Sequence, residues 1–221
     1  MQGSFSTQVL SIHDARGLAE AARLLATGQV IAAPTDTVYG VMCRYDSPEA
    51  IERLYVAKGR PTHKAIPILI GDVNALAEIT AVPQPAMARQ LMARFWPGPL
   101  TIVLPAHPTL PAILTAGQPT VAVRMPGHDE LRRLLRAAGP LAATSANRSG
   151  GPDTGTAAEV LAQLAGAIPL ILADDEAADL RKTRIPSTLV DLTVTPPAIL
   201  RAGPIEAAVR QALADSGGRA C

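Results

Sequence analysis

Helical and extended segments alternate along this chain without strict order, and its twenty prolines fall mostly at the borders between them. A proline fixes φ and removes a backbone donor, so it ends an element and opens a loop. Short apolar runs broken this often bury their faces best in a mixed sheet with helices packed against it. The expected fold is therefore α/β, with many loops opening onto one face. No internal repeat and no low-complexity block interrupts the pattern.

The 221 residues fit one large domain, and 48% hydrophobic content is enough for a sizeable core. Aromatics make up only 3%, so that core must be aliphatic. Periodicity and capping residues predict helices over 14–27, from Ser47 to about Lys58–Gly59, from Pro85 to about Phe95, and over 129–138. Thr156 and Glu159 have the spacing of a capping box for another helix. Strands are expected at 29–33, 66–70, 100–104, 121–124, 170–172, 188–192 and 198–200. The residues from about Glu206 read as an Ala-rich tail with a short helix, disordered at 216–218.

A net charge of +1 excludes a general nucleic-acid coat, so any RNA contact must be local. The first residues carry no leader pattern, and no apolar run approaches the ~18 residues of a membrane span. A soluble cytoplasmic protein is expected. Cys43 and Cys221 are too far apart for a disulfide framework or a metal spacing; Cys43, after an apolar strand, reads as a buried thiol. Asp174-Asp175 lacks partners at metal-ligand spacing, and His63 reads as a solvated loop histidine.

Three segments have chemical potential. In Lys58-Gly59-Arg60-Pro61 two cations sit on a stiff turn, which suits a polyphosphate. The plain alternative is a basic helix C-terminus favoured by the dipole. In Thr144-Ser145-Ala146-Asn147, an extended backbone would point Ser145 and Asn147 the same way; otherwise this is a Ser/Asn turn. Thr35, Thr37 and Tyr39 follow a buried strand, where α/β proteins often bind ligands, although Asp36 equally fits an ordinary Asx turn. Arg181, Lys182 and Arg184 form a basic cluster, either a solvated face or a flap over phosphates. There is no GKS/GKT phosphate loop and no GxGxxG after a strand.

Together these pieces resemble the YrdC family, also called TsaC, of threonylcarbamoyl-AMP synthases, in its short single-domain form. The matching runs, in family order, are PTDTVYG (34–40), YVAKGRP (55–61), FWPGPLT (95–101), TVAVRMP (120–126), TSANRSG (144–150), PSTLVD (186–191) and ILRAGPI (199–205). The resemblance implies a twisted open mixed sheet with flanking helices around one deep basic cavity. It implies a catalytic domain over 1–205 and a C-terminal tail over 206–221, with no second domain after residue 205. It also implies a Lys-x-Arg and Ser-x-Asn tetrad, Lys58, Arg60, Ser145 and Asn147, that is catalytic and binds ATP together with Arg201. Thr35, Tyr39, Arg124 and Ser187 are the implied threonine contacts.

The implied reaction joins L-threonine, bicarbonate or CO2, and ATP, the last with Mg2+ on its phosphates. It gives threonylcarbamoyl-AMP and pyrophosphate for modification of the tRNA adenosine next to the anticodon. No resident metal site is implied. The implied partner is the downstream tRNA threonylcarbamoyl transferase complex, with room for a weak contact to tRNA itself. The sequence departs from the family's usual pattern at TSAN, where PSAN is common, at AIP after Lys64, and over DDEAADLRKTRI before PSTLVD. The alternatives are a non-catalytic RNA-binding module and a related carbamoyl-adenylate-forming domain.

Overall fold

The computed structural model describes residues 5–81, 83–174 and 185–217, without the side chains of 216 and 217. Along the chain run β1 (Gln8–Ser11), α1 (Ala15–Ala26), β2 (Ile31–Ala33), β3 (Gly40–Arg44), α2 (Pro48–Lys58), β4 (Ile68–Leu69), a 3-10 turn (Val73–Ala75) and α3 (Leu76–Ile79). There follow α4 (Ala86–Phe95), β5 (Leu100–Pro105), α5 (Ala112–Thr115), β6 (Thr120–Arg124), α6 (Asp129–Ala138) and β7 (Leu141–Ser145). The chain continues through α7 (Ala157–Leu164), β8 (Leu170–Ala173), β9 (Thr188–Asp191), β10 (Ala198–Arg201) and α8 (Glu206–Gly217). Among the described residues the strands form one sheet in the order β1-β8-β2-β3-β7-β4-β6-β5-β9-β10. Pairing is mixed: β2 lies parallel to β8 and antiparallel to β3, and β5 lies parallel to β9 and antiparallel to β6.

Period-2 alternation sends successive side chains of the central strands into different layers. Ile31, Ala33, Met42, Leu141, Ala143, Leu170 and Leu172 pack with α1 and α6 through Leu24, Leu25, Leu131, Leu134 and Leu135. Their neighbours Ala32, Val41, Cys43, Ala142 and Ile171 face the layer built by α2, α4, α7 and α8. Helices therefore cover both faces, which explains why these strands read as continuous apolar runs.

Helix ends follow local chemistry. The Asp14 carboxylate accepts from Arg16 N at 2.9 Å and starts α1. Ser47 Oγ accepts from Ala50 N at 3.2 Å, Pro48 occupies the first turn of α2, and Gly59 ends it in the left-handed region at φ 59°. Thr156 Oγ1 accepts from Glu159 N at 3.3 Å, while the Glu159 carboxylate accepts from Gly155 N at 2.7 Å, one residue before the amide a capping box would use.

Several elements lie outside the expectations: β1, β3, the 3-10 turn, α3, α5 and β7. Cys43 lies inside β3 rather than after it, and burial pushes its thiol up to about 12. α8 docks on the same core as the rest, with Val209 fully buried. Asp175, Arg181, Lys182, Arg184, Gly218 and Cys221 lie outside the described residues.

Candidate active site

Lys58 stands at the end of α2, and the left-handed turn at Gly59 redirects the chain so that Arg60 follows on the other side of the bend. The Lys58 side chain is buried, and its ammonium has three protons to place. It donates to Ser145 O, to Asn147 O at 2.7 Å and to Asn147 Oδ1 at 3.0 Å. Ser145 Oγ donates to the same Asn147 Oδ1 at 2.6 Å, and Asn147 Nδ2 donates to Gly151 O at 2.5 Å. Ser149 N closes the contact by donating to Lys58 O at 2.9 Å. Two motifs far apart in sequence thus form one hydrogen-bonded centre. The strand β7 delivers Ser145 because Ser145 is register partner to Gly40, the first residue of β3.

Arg60 is half-buried and donates to Ala65 O at 3.1 Å from Nη2, with a longer 3.4 Å approach from Nε to Lys64 O. It lies close enough to Lys58 to repel its charge. Burial, and next Arg60, hold the Lys58 ammonium down to about 7, while Asp153 acts to raise it. Asp153 also favours the charged form of Arg201, whose pKa is lowered by burial and then by Arg124. Asp153 is therefore a carboxylate within electrostatic reach of both Lys58 and Arg201.

The segment from Thr35 to Tyr39 lies next to this centre, with Gly40 paired to Ser145. Thr35 Oγ1 donates to Val38 O at 2.7 Å and accepts from Thr37 N at 3.0 Å. Arg124, at the end of β6, donates from Nη1 to Thr37 Oγ1 at 2.9 Å, from Nε to Gly98 O at 3.0 Å and from Nη2 to the Asp36 carboxylate. Burial lowers the Arg124 pKa and the Asp36 charge opposes that shift. The guanidinium in this state holds the 35–37 turn rather than facing open space. Tyr39 is wholly buried, and its hydroxyl accepts from Asp174 N at 3.1 Å. Its ring packs in the core beneath the Thr35–Tyr39 turn. Its backbone ties the turn to the Ser145–Asn147 loop: Ala146 N donates to Tyr39 O at 2.8 Å, and Tyr39 N to Thr154 O at 2.9 Å.

Ser187 and Arg201 form a third group. Arg201 donates from Nε to Ser187 O at 2.9 Å and from Nη2 to Ser187 Oγ at 3.0 Å. Ser187 Oγ also lies 2.6 Å from Thr101 Oγ1. The cations fall in two pairs, Arg60 acting on Lys58 and Arg124 on Arg201; Asp153 acts on Lys58 and Arg201, and Asp36 on Arg124. Such a concentration of positive charge on buried walls favours a polyanionic ligand.

Sequence reasoning passed over several of these residues. Asp153 lies outside every matching run, and Thr101 closes the FWPGPLT run without being singled out. Asp174 was weighed only for a metal; here it accepts from His128 Nε2 at 2.9 Å and pairs with His13 Nε2 at 3.1 Å. His128 Nδ1 meanwhile accepts from Leu131 N at 3.3 Å and caps α6, which leaves the proton on Nε2. Among the described residues no group of three metal-ligating side chains forms, and no helix is long and apolar enough to cross a membrane.

The family model for Sua5, YciO and YrdC proteins, described as "Telomere recombination", matches residues 23–203. Threonylcarbamoyl-AMP synthase of Bacillus subtilis (strain 168) is 43% identical over 164 residues, 73% of this chain and 47% of the relative. The enzyme of the same name from Pyrococcus abyssi (strain GE5 / Orsay) is 40% identical over 184 residues, 83% of this chain and 53% of the relative. This chain therefore spans about half the length of these two curated relatives. The crystal structure of P. abyssi Sua5 complexed with L-threonine superimposes with a TM-score of 0.84 at 36% identity, covering 92% of this chain and 60% of that one.

Proposed function

This chain belongs to the family of Sua5, YciO and YrdC proteins, and from that premise we propose that it makes threonylcarbamoyl-AMP and pyrophosphate from L-threonine, bicarbonate or CO2, and ATP. The observation that carries the reading is the Lys58 ammonium bonded to Ser145 O, Asn147 O and Asn147 Oδ1. It joins the Lys-x-Arg and Ser-x-Asn pairs into a single centre. Had the two pairs faced different surfaces, no shared chemistry would be available to them.

Threonine's neutral amine captures CO2 and releases a proton to solvent, giving a carbamate whose oxygen bonds to the α-phosphate of ATP as the bond to the leaving pyrophosphate breaks. The nucleophile is already an anion, so the step needs charge neutralisation and alignment more than a strong base. Lys58, Arg60 and Arg201 supply positive charge around the phosphates. Ser145 and Asn147 orient oxygens in the transition state as neutral polar groups, Ser145 Oγ exchanging its bond to Asn147 Oδ1 for one to substrate. Mg2+ enters with ATP, held by the phosphates as part of the substrate. Thr35, Arg124 and Ser187 form the threonine side of a deep basic cavity, with Asp36 and Tyr39 fixing their positions. A pocket that hydrogen-bonds the threonine hydroxyl rejects an analogue without it by ~10^4-fold, and serine less well.

The product is activated for transfer, and its consumer is the transferase complex that modifies the adenosine beside the tRNA anticodon. The catalytic unit spans 1–205, with α8 of the following segment packed on the same core, and the protein acts in the cytoplasm. Pyrophosphate release measured with ATP, threonine and bicarbonate omitted in turn tests the reading. Release should need all three, and release that persists without threonine would exclude it.

A further inference from the structure

Gln163 lies on α7, outside every motif that identifies the family, and its carboxamide grips both ends of the loop beside the active centre. Its Oε1 accepts from Arg148 N at 2.9 Å, and its Nε2 donates to Pro152 O at 3.1 Å. The amide orientation is self-consistent, because a flipped group would set donor against donor and oxygen against oxygen. A third bond fastens the same place: Arg148 Nε donates to the Gln163 backbone carbonyl at 2.9 Å.

The gripped loop is the one on which the aim of Asn147 depends. Between the two contacts the chain turns, with Gly151 N donating to Arg148 O at 2.8 Å. Gly151 O then accepts from Asn147 Nδ2 at 2.5 Å, which leaves Asn147 Oδ1 turned toward Ser145 Oγ and Lys58 Nζ. Contact between helix and turn is close: a Cβ on Gly151 would fall 2.9 Å from Gln163 Oε1 and 3.1 Å from Arg148 O. Residue 153, directly after the clamped Pro152, is the carboxylate that Lys58 and Arg201 both sense.

We infer that Gln163 is a positioning residue: through the 148–152 turn it sets the direction of the Asn147 carboxamide and so the geometry of the Lys58 centre. Its importance for turnover rests on the proposed synthase reaction. The clamp itself does not, so the two are measured separately. Gln163→Met keeps the volume and removes both side-chain bonds. Gln163→Glu keeps the acceptor for Arg148 N but sets an oxygen against Pro152 O.

The first measurement is the titration of Lys58 by NMR with lysine labelled at the ε-carbon. The chain has only three lysines, Lys58, Lys64 and Lys182, so assignment is direct and Lys64 is an internal control. In the wild type Lys58 should titrate near 7. Loosening the turn admits water and relieves the burial that lowers it, so both variants should titrate higher, with Lys64 unmoved. The second is pyrophosphate release, where kcat/KM for ATP should fall ~10- to 10^2-fold, the scale of a misplacement of about 1 Å, while the variants keep the wild-type melting temperature to within a few degrees. A folded Gln163→Met protein with unchanged Lys58 titration and unchanged kcat/KM would overturn the assignment. So would a loss of activity that tracks loss of fold in both variants. If Lys58 moves as expected and even the wild type releases no pyrophosphate, the clamp is supported and the synthase reading is what fails.

Discussion

Lys58 has no proton left over in this state, since Ser145 O, Asn147 O and Asn147 Oδ1 take all three. Its contribution to anion binding is then the charge itself, and that charge is conditional. Burial holds the ammonium down to about 7 from an ordinary 10.5, so the free protein loses this cation as pH rises through neutrality. The affinity for ATP should accordingly fall from pH 6 to pH 8.5, read as the difference between wild type and Lys58→Ala by calorimetry, which removes the nucleotide's own titration. Asp153 opposes the depression, so Asp153→Asn should move the limb to lower pH; a limb in the same place would remove Asp153 from the centre. The same shift affects stability. Between about 7 and 10.5 the unfolded chain binds the extra proton, so the stability contributed at Lys58 rises with pH across that window. In turnover, Lys58→Ala and Arg60→Ala should each cost orders of magnitude in pyrophosphate release with folding retained, and near-normal release from either would contradict their roles.

At the scale of elements, the junction between α2 and the Lys-x-Arg turn is a single left-handed residue. Gly59 has φ 59°, and a Cβ there would meet nothing within 4 Å. The cost of Gly59→Ala is therefore backbone strain alone, about 1–2 kcal/mol, which corresponds to a melting temperature lower by about 2–8 °C for a chain of this size. An unchanged melting temperature would mean that the turn is not held left-handed in solution. Junctions of this kind were legible in the sequence because they obey local rules: Asp14, Ser47-Pro48, Gly59 and Thr156 mark helix ends where expected. β7 was not legible, because LAATS offers no alternation and a single β-branched residue, Thr144, and takes its strand form from its place between β3 and β4. β1 was missed for a related reason: its pairing to β8 joins Gln8 to Leu170, which no local window contains. The site shows the same division. The family runs identified Lys58, Arg60, Ser145 and Asn147, whereas Gln163 and Asp153 act through folded contacts that leave no pattern in the chain. Tyr39 was legible as important but not as buried, since its place in the core is fixed by Asp174 N and by Ala146 N, both distant in sequence.

Across the whole molecule, the walls of the site differ in how firmly they are built. Lys58 and Ser145 lean on β3 and β7, in the middle of the sheet and covered on both faces, where Val41, Met42, Cys43 and Ala142 have no exposure at all. Arg201 ends β10, which among the described residues closes the sheet, pairs with β9 alone, and shifts register between Ile199 and Arg201. Strands with a single partner and exposed side chains open at low free energy, while doubly covered strands open only with the global transition. Hydrogen exchange should therefore find the β3 and β7 amides among the slowest in the protein and those of β10 far faster. Under the proposed function ATP contacts both parts of the site, so bound nucleotide adds contacts to the edge strand that the free protein lacks. Nucleotide should slow exchange in β10 and in the 147–153 loop, leave β3 and β7 unchanged, and leave the opposite edge strand β1 as fast as before. Equal protection of β1 and β10 would mean that binding stiffens the sheet as a body, and Arg201 would then lose its proposed place as a nucleotide contact.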